Sequence, residues 1–170
     1  MSVRKPEALS RPTGGTLSIS TLAMHTAAMA VVAGALAFTR LDGFGALLIA
    51  PFAASAMLAI VASDLPFSQP RAIVGGNVFA ATAGQLAFFV MGEGPVTLAA
   101  AAALAIGVML LTRTTHAPAA ATAIVAASSD LPWWFALYPV LTGVLAIVAL
   151  AIVYHRFVRR GVYPRAARID

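Results

Sequence analysis

Most of the polar chemistry available to this chain lies in one short run, Arg113-Thr114-Thr115-His116-Ala117-Pro118, followed by Ala119-Ala120-Ala121-Thr122-Ala123-Ile124. It sets an arginine, a histidine and three threonines inside strongly apolar sequence. A proline is favoured at the first position of a helix, where its missing N–H costs nothing. A helix starting at Pro118 would expose the N–H groups of Ala120 and Ala121 and about half a positive charge. Such an end attracts anions. An earlier stretch, Ala50-Pro51-Phe52-Ala53-Ala54-Ser55, offers the same features: a proline, small residues Ala53 and Ala54, and a hydroxyl four positions on. Ser55 and Thr122, each one turn past a proline, would complete a cradle for a small anion. His116 could donate to the anion or carry a proton. It could equally be a neutral ring that satisfies broken backbone beside Pro118.

The elements that must position these groups are hydrophobic. Of 170 residues, 61% are hydrophobic and 10% charged, and the mean hydropathy is +0.91. Soluble domains carry about 25% charged residues. The chain cannot cover itself with polar surface, so it reads as an all-α, polytopic membrane helix bundle with the lipid bilayer as its solvent. The net charge of +5 comes from basic residues clustered at the two ends, where they orient membrane proteins. No aromatic-interleaved basic patch suggests nucleic acid. Cysteine is absent, which removes disulfides, thiolate metal sites and cysteine nucleophiles.

In order, residues 1–16 read as a flexible cytoplasmic leader and 17–155 as the membrane domain. The apolar run from Leu17 to Phe38 exceeds the core of a signal peptide and reads as a retained first span. Pro51 cuts the second segment, 44–62, into two pieces. A turn from Ser63 to Arg71 follows, then a third segment to Met91 carrying Gly75-Gly76-Asn77, Gly84 and Gln85. After the turn Gly92-Glu93-Gly94-Pro95 comes a fourth segment, Val96 to Thr112. The motif segment, 114–128, is too short to span alone, and a last span runs from Trp133 to about Tyr154. Trp133 and Trp134 at one end, with Tyr154 and His155 at the other, look like interface anchors. Residues 156–170 form a basic cytoplasmic tail.

The two proline stretches align as copies. Ala50-Pro51 through Ser63-Asp64-Leu65-Pro66 matches Ala117-Pro118 through Ser129-Asp130-Leu131-Pro132. One hydrophobic segment precedes each copy and one follows it. The chain therefore reads as an inverted repeat of three segments each, about 18–91 and 96–155, with half or re-entrant helices at 44–62 and 114–128. If all six segments cross and both termini are cytoplasmic, only Arg40 among the 11 Lys and Arg residues lies outside. If the motif segments dip and return, Arg40, Arg71 and Arg113 all do. The six-crossing arrangement fits the positive-inside rule better. Paired, interrupted segments at matching positions point to a transport site.

Other polar residues have simpler explanations. Arg113 reads as a snorkelling anchor as readily as a site residue. Arg71 reads as a loop organiser, His25 as an interface residue, and Asn77 and Gln85 as interhelical hydrogen-bonding groups. Gly75-Gly76 marks a close helix contact, since no Lys-Ser/Thr follows to complete a phosphate loop. Asp64 and Asp130 lie in turns. No metal-ligand cluster, cofactor motif or nucleophile–base pair is present in the sequence, so an enzyme is not expected.

Arg113 through Ala123 resembles the signature of the HPP family of integral membrane proteins, named for its His-Pro-Pro. Pro51 through Ala56 and Gln69 through Asn77 resemble that family's other two blocks, and the likeness covers roughly residues 20–155. The chain departs from the family pattern at Ala117 (proline), Asn77 (often histidine) and Ala120 (glycine). The resemblance implies a multi-spanning membrane protein, commonly counted as four helices. Some plastid and cyanobacterial relatives are implicated in nitrite transport. The reading is a plasma-membrane transporter or channel for a small anion, open to proton coupling and to homo-oligomerisation. The candidate substrate-binding set is Pro51, Ala53, Ala54, Ser55, Asn77, Arg113, His116, Pro118, Ala120, Ala121 and Thr122. The alternative is a non-transporting membrane subunit.

Overall fold

The computed structural model describes residues 18–38 and 49–165, all helical or irregular, with no strand among the described residues. The leader, the Arg40–Gly43 turn, the start of the second segment and Arg168 lie outside them. Six helices follow in order: α1 (Ile19–Phe38), α2 (Ile49–Val61), α3 (Pro70–Met91), α4 (Pro95–Thr112), α5 (Ala119–Ala126) and α6 (Thr142–Val153). A wide turn extends α6 past Val153, and a tight turn (Trp133–Ala136) and a kink at Tyr138 lead into it, so that one apolar element of 27 residues runs from Trp133 to Arg159. That element, α3 and α4 are each long and apolar enough to cross a bilayer. Large apolar side chains such as Phe89, Leu111 and Ile19 are more than four-fifths exposed, as lipid-facing positions require.

Side-chain contacts fix the direction of each helix. Arg159 donates to Ser63 Oγ (3.1 Å), and Arg71 donates to Thr112 O (3.2 Å). The ring of His25, near the start of α1, lies 6.1 Å from that of Tyr154. So the α2–α3 turn, the end of α4, the start of α1 and the end of α6 share one end of the bundle, the basic end. At the opposite end Gln85 Nε2 donates to Pro132 O (2.8 Å), beside the α3–α4 turn. The chain thus alternates direction from helix to helix. α5, eight residues long, starts at the basic end and runs toward the other.

Glycine sets the helix spacing. A side chain on Gly84 of α3 would meet the carbonyl of Ala123 and, at 2.7 Å, Ala126 Cβ on α5. The Phe52 ring of α2 occupies the corresponding space above Gly143 of α6. Small residues permit this approach and so replace the hydrophobic driving force that lipid cannot provide. Alanines 80, 83, 87, 101, 105, 119, 123 and 127 continue the same close packing between α3, α4 and α5.

Two expectations change here. Tyr154 and His155 are buried, not interface anchors: His155 Nε2 donates to Ala59 O of α2 (2.9 Å) and the Tyr154 ring packs edge-on against it. The reason is that the chain continues past them and folds back. Arg165 pairs with Asp64 (2.8 Å), its backbone N–H donates to Gln69 Oε1 (2.9 Å), and Tyr163 O–H donates to Ser68 O (2.9 Å). The tail, as far as it is described, is therefore held on the α2–α3 turn.

Two outcomes are expected. Gly84→Ala should destabilise the protein by about 1–3 kcal/mol, because backbone must move. Gly107→Ala, with nothing within 4 Å, should not; thermal unfolding in detergent checks both. Burial pushes the Tyr163 phenol up to about 12. A raised acid pKa means the neutral form is favoured on folding, so its contribution is intact below about pH 10 and lost as pH rises through about 12. Phenolate absorbance should show a late-titrating component that Tyr163→Phe reduces.

Candidate functional site

The polar residues of the two motifs meet inside the bundle. Pro51 lies in the described part of α2, which runs from Ile49. Pro118 directly precedes α5 in helical geometry, φ −60° and ψ −24°. The intervening segment is placed by α3. At Gly76 an added side chain would lie 2.8 Å from His116 Cβ and 2.9 Å from Thr114 O, and at Gly75 it would lie 2.7 Å from Thr114 Cγ2. The paired glycines let the motif press against α3; the close contact expected of them is made with the irregular segment before α5.

His116 is fully buried and bonded at both ring nitrogens. Nδ1 donates to Phe67 O in the α2–α3 turn (2.7 Å), and Nε2 lies 2.8 Å from Ser55 Oγ on α2. Ser55 Oγ is also 2.8 Å from Pro51 O, one turn back. A carbonyl oxygen only accepts, so Nδ1 carries a hydrogen. A second network lies beside the first. Thr122 Oγ1 donates to Asn77 Oδ1 (2.6 Å), and Asn77 Nδ2 donates to Ile73 O (2.9 Å). Each motif hydroxyl thus bonds to a polar residue of the other half of the chain.

The helix-start cradle is not built as the sequence suggested. The N–H groups of Ala119, Ala120 and Ala121 donate to His116 O, Ala117 O and Pro118 O at 3.0, 3.2 and 3.1 Å. These tight turns occupy the donors an anion would have used. Ala54 and Ala121 are exposed, and Ala53 and Ala120 half-buried, so these four do not converge. Arg113 is exposed too: it ends α4 in the left-handed region at φ 55° and takes no part in the cluster. Ser55, Asn77, His116 and Thr122 remain, with Pro51 and Pro118 shaping the backbone around them. Sequence reasoning missed Phe67 O, because a carbonyl acceptor in a turn carries no residue-type signal.

A cavity of about 600 Å³ opens at the end opposite the basic one. Gln85, Phe88, Phe89, Asp130 and Trp133 line it, and Ala126 forms part of its wall. Thr122 lies one turn of α5 below Ala126. The order along the α3–α5 seam is therefore Gln85, then Thr122 with Asn77, then His116 with Ser55. Among the described residues no group of three His, Cys, Asp or Glu could hold a metal ion.

The model for the HPP transmembrane region matches residues 12–164. This chain belongs to that family. A curated transmembrane protein of Dictyostelium discoideum is 34% identical over 125 residues, 69% of this chain and 40% of the relative. A second from the same organism is 30% identical over 132 residues, 73% of this chain and 46% of the relative. The chain spans less than half the length of these relatives. No solved structure matches. The family and the apolar helices together make this HPP protein a multi-pass membrane protein.

A double-mutant cycle should expose the Asn77–Thr122 bond. Thr122→Val leaves the Asn77 carbonyl buried without its donor. Interhelical bonds in membranes are worth roughly 0.6–2 kcal/mol, so a coupling of that size is expected with Asn77→Leu. Additive losses would show that the two side chains do not interact.

Proposed function

We propose that this HPP protein is a membrane transporter or channel for a small anion of the nitrite class, with its site at the two polar networks between α2, α3 and α5. The observation that carries the reading is the burial of Ser55, Asn77, His116 and Thr122 together, each at 0% or nearly so, within an apolar bundle. Polar groups at membrane depth are expensive and commonly mark substrate pathways. Their order along the seam, leading inward from the cavity, supports a route. The alternating helix directions suit two inverted halves with the site at their junction. Donors to the anion are then the side chains of Ser55, Thr122, Asn77 and His116, since α5's first N–H groups are taken. The conformation described is closed. Arg71, Arg159 and Arg165 share one end, and the positive-inside rule assigns that end, with both termini, to the cytoplasm.

One observation favours a non-transporting membrane subunit instead: the four side chains are packed and hydrogen-bonded to one another or to backbone. Flux decides between the readings. Purified protein in liposomes should take up nitrite, nitrate or formate, and Thr122→Val should cut that uptake at least about tenfold, the effect of roughly 1.4 kcal/mol on a barrier. No uptake of any of the three anions by folded protein would favour the subunit.

A further inference from the structure

The hydrogen count around Ser55 leads past anion passage to the ion that accompanies it. Ser55 has one hydroxyl hydrogen and two acceptors within reach, Pro51 O and His116 Nε2, both at 2.8 Å. It cannot serve both. With His116 neutral, Nδ1–H is fixed by Phe67 O (2.7 Å), and Nε2 must accept the Ser55 hydrogen. With a proton added at Nε2, that nitrogen donates to Ser55 Oγ, and the hydroxyl turns to donate to Pro51 O. Every polar atom is satisfied in both states. The ring can therefore gain or lose a proton without breaking its link to α2 or to the turn.

Among the described residues a charged ring here has no acidic neighbour. The three acidic residues among those described, Asp64, Glu93 and Asp130, all lie outside the helices. α2, α4 and α5 carry no charged residue. On α3 the one charge is Arg71, exposed and bonded to Thr112 O, and in the adjoining turn Asp64 is exposed and paired with Arg165. Arg113, at the end of α4, is exposed as well. A buried charge is costly unless an opposite charge joins it. No described residue supplies that opposite charge, which leaves the place to an anion that enters the site.

From this geometry we infer that the site binds a proton and an anion together: the proton at His116 Nε2, with Ser55 as the hydroxyl that reorients, and the anion beside the charged ring. The inference rests on the transport reading and makes the transport electroneutral. One proton enters and leaves with each univalent anion. As the N–H bond forms, an O–H bond of hydronium breaks, and on release the proton returns to water.

Two measurements on the full chain test this. Nitrate is the probe for flux, because its conjugate acid is too strong to carry protons across lipid by itself. In liposomes holding a pH dye, nitrate entry should acidify the lumen one-for-one and be unaffected by a potassium–valinomycin potential. Above the ring's titration midpoint it should rise about tenfold per unit fall in external pH. Ser55→Ala retains the ring's bond to Phe67 but removes the reorienting hydroxyl, and should cut coupled flux at least tenfold. Independently, nitrogen NMR of labelled protein, assigned with His116→Gln, should show a neutral ring protonated at Nδ1 that gains its second proton at Nε2. Ser55→Ala should shift that titration. Nitrate flux without lumen acidification would overturn proton coupling and leave anion transport standing. A titrating ring with no flux of any anion would overturn transport and the coupled site with it, leaving only a proton-binding histidine. A ring protonated at Nε2 alone when neutral would overturn the assignment of atoms.

Discussion

The arrangement depends on the closeness with which the motif segment lies against α3. At Gly76 the helix has no side chain, and His116 with the Thr114 carbonyl fills the space where one would stand. At Gly84 the Ala123 carbonyl does the same two turns further along. Between these two contacts the segment has little freedom, and Asn77 is brought within 2.6 Å of Thr122. In lipid, where apolar surfaces gain little by meeting, such close packing together with a few internal hydrogen bonds holds helices in register.

The polar cluster is the complement of that packing. Water cannot reach these groups, so each needs a partner in the protein. Histidine suits the crossing because its two nitrogens point in different directions. One reaches back to the α2–α3 turn and the other across to α2. A single ring thereby ties the start of α5 to two elements of the other half. The same turn receives Tyr163 and Arg165 from the far end of the chain. Phe67 O on one side and Ser68 O on the other make it the joint between the motif and the C-terminal segment.

The likeness between the two proline stretches carries through to structure only in part. Pro118 sits directly before a helix start, Pro51 lies in the described part of α2, and both hydroxyls are buried. Their partners differ: a histidine from the second copy for Ser55, an asparagine from the third helix for Thr122. His116 has no counterpart in the first copy, where Ile49 is nearest. It is the group that joins the copies to each other, more than an addition to one of them.

How much could be read from the residues follows from the range of each interaction. Hydrophobic length and charge depletion decided that this is an all-helical membrane protein, because those depend on composition over about 20 residues. The placement of Pro118, the close contacts at Gly75 and Gly76, and the interhelical roles of Asn77 and Gln85 were legible from residue type, since each type has few physical uses inside an apolar helix. The family motifs mark the segments that carry the buried polar cluster. Tertiary structure alone decided the rest. Which hydroxyl meets which partner depends on helix rotation and depth, and a one-dimensional pattern does not encode either. Whether α5's first N–H groups are free depends on the tightness of its first turn, which the press of His116 and Thr114 against α3 accompanies. Tyr154 and His155 look like interface residues in the sequence because aromatic and polar groups near a span's end usually are. They are buried because the chain beyond them returns to the bundle, a long-range contact that no local pattern announces.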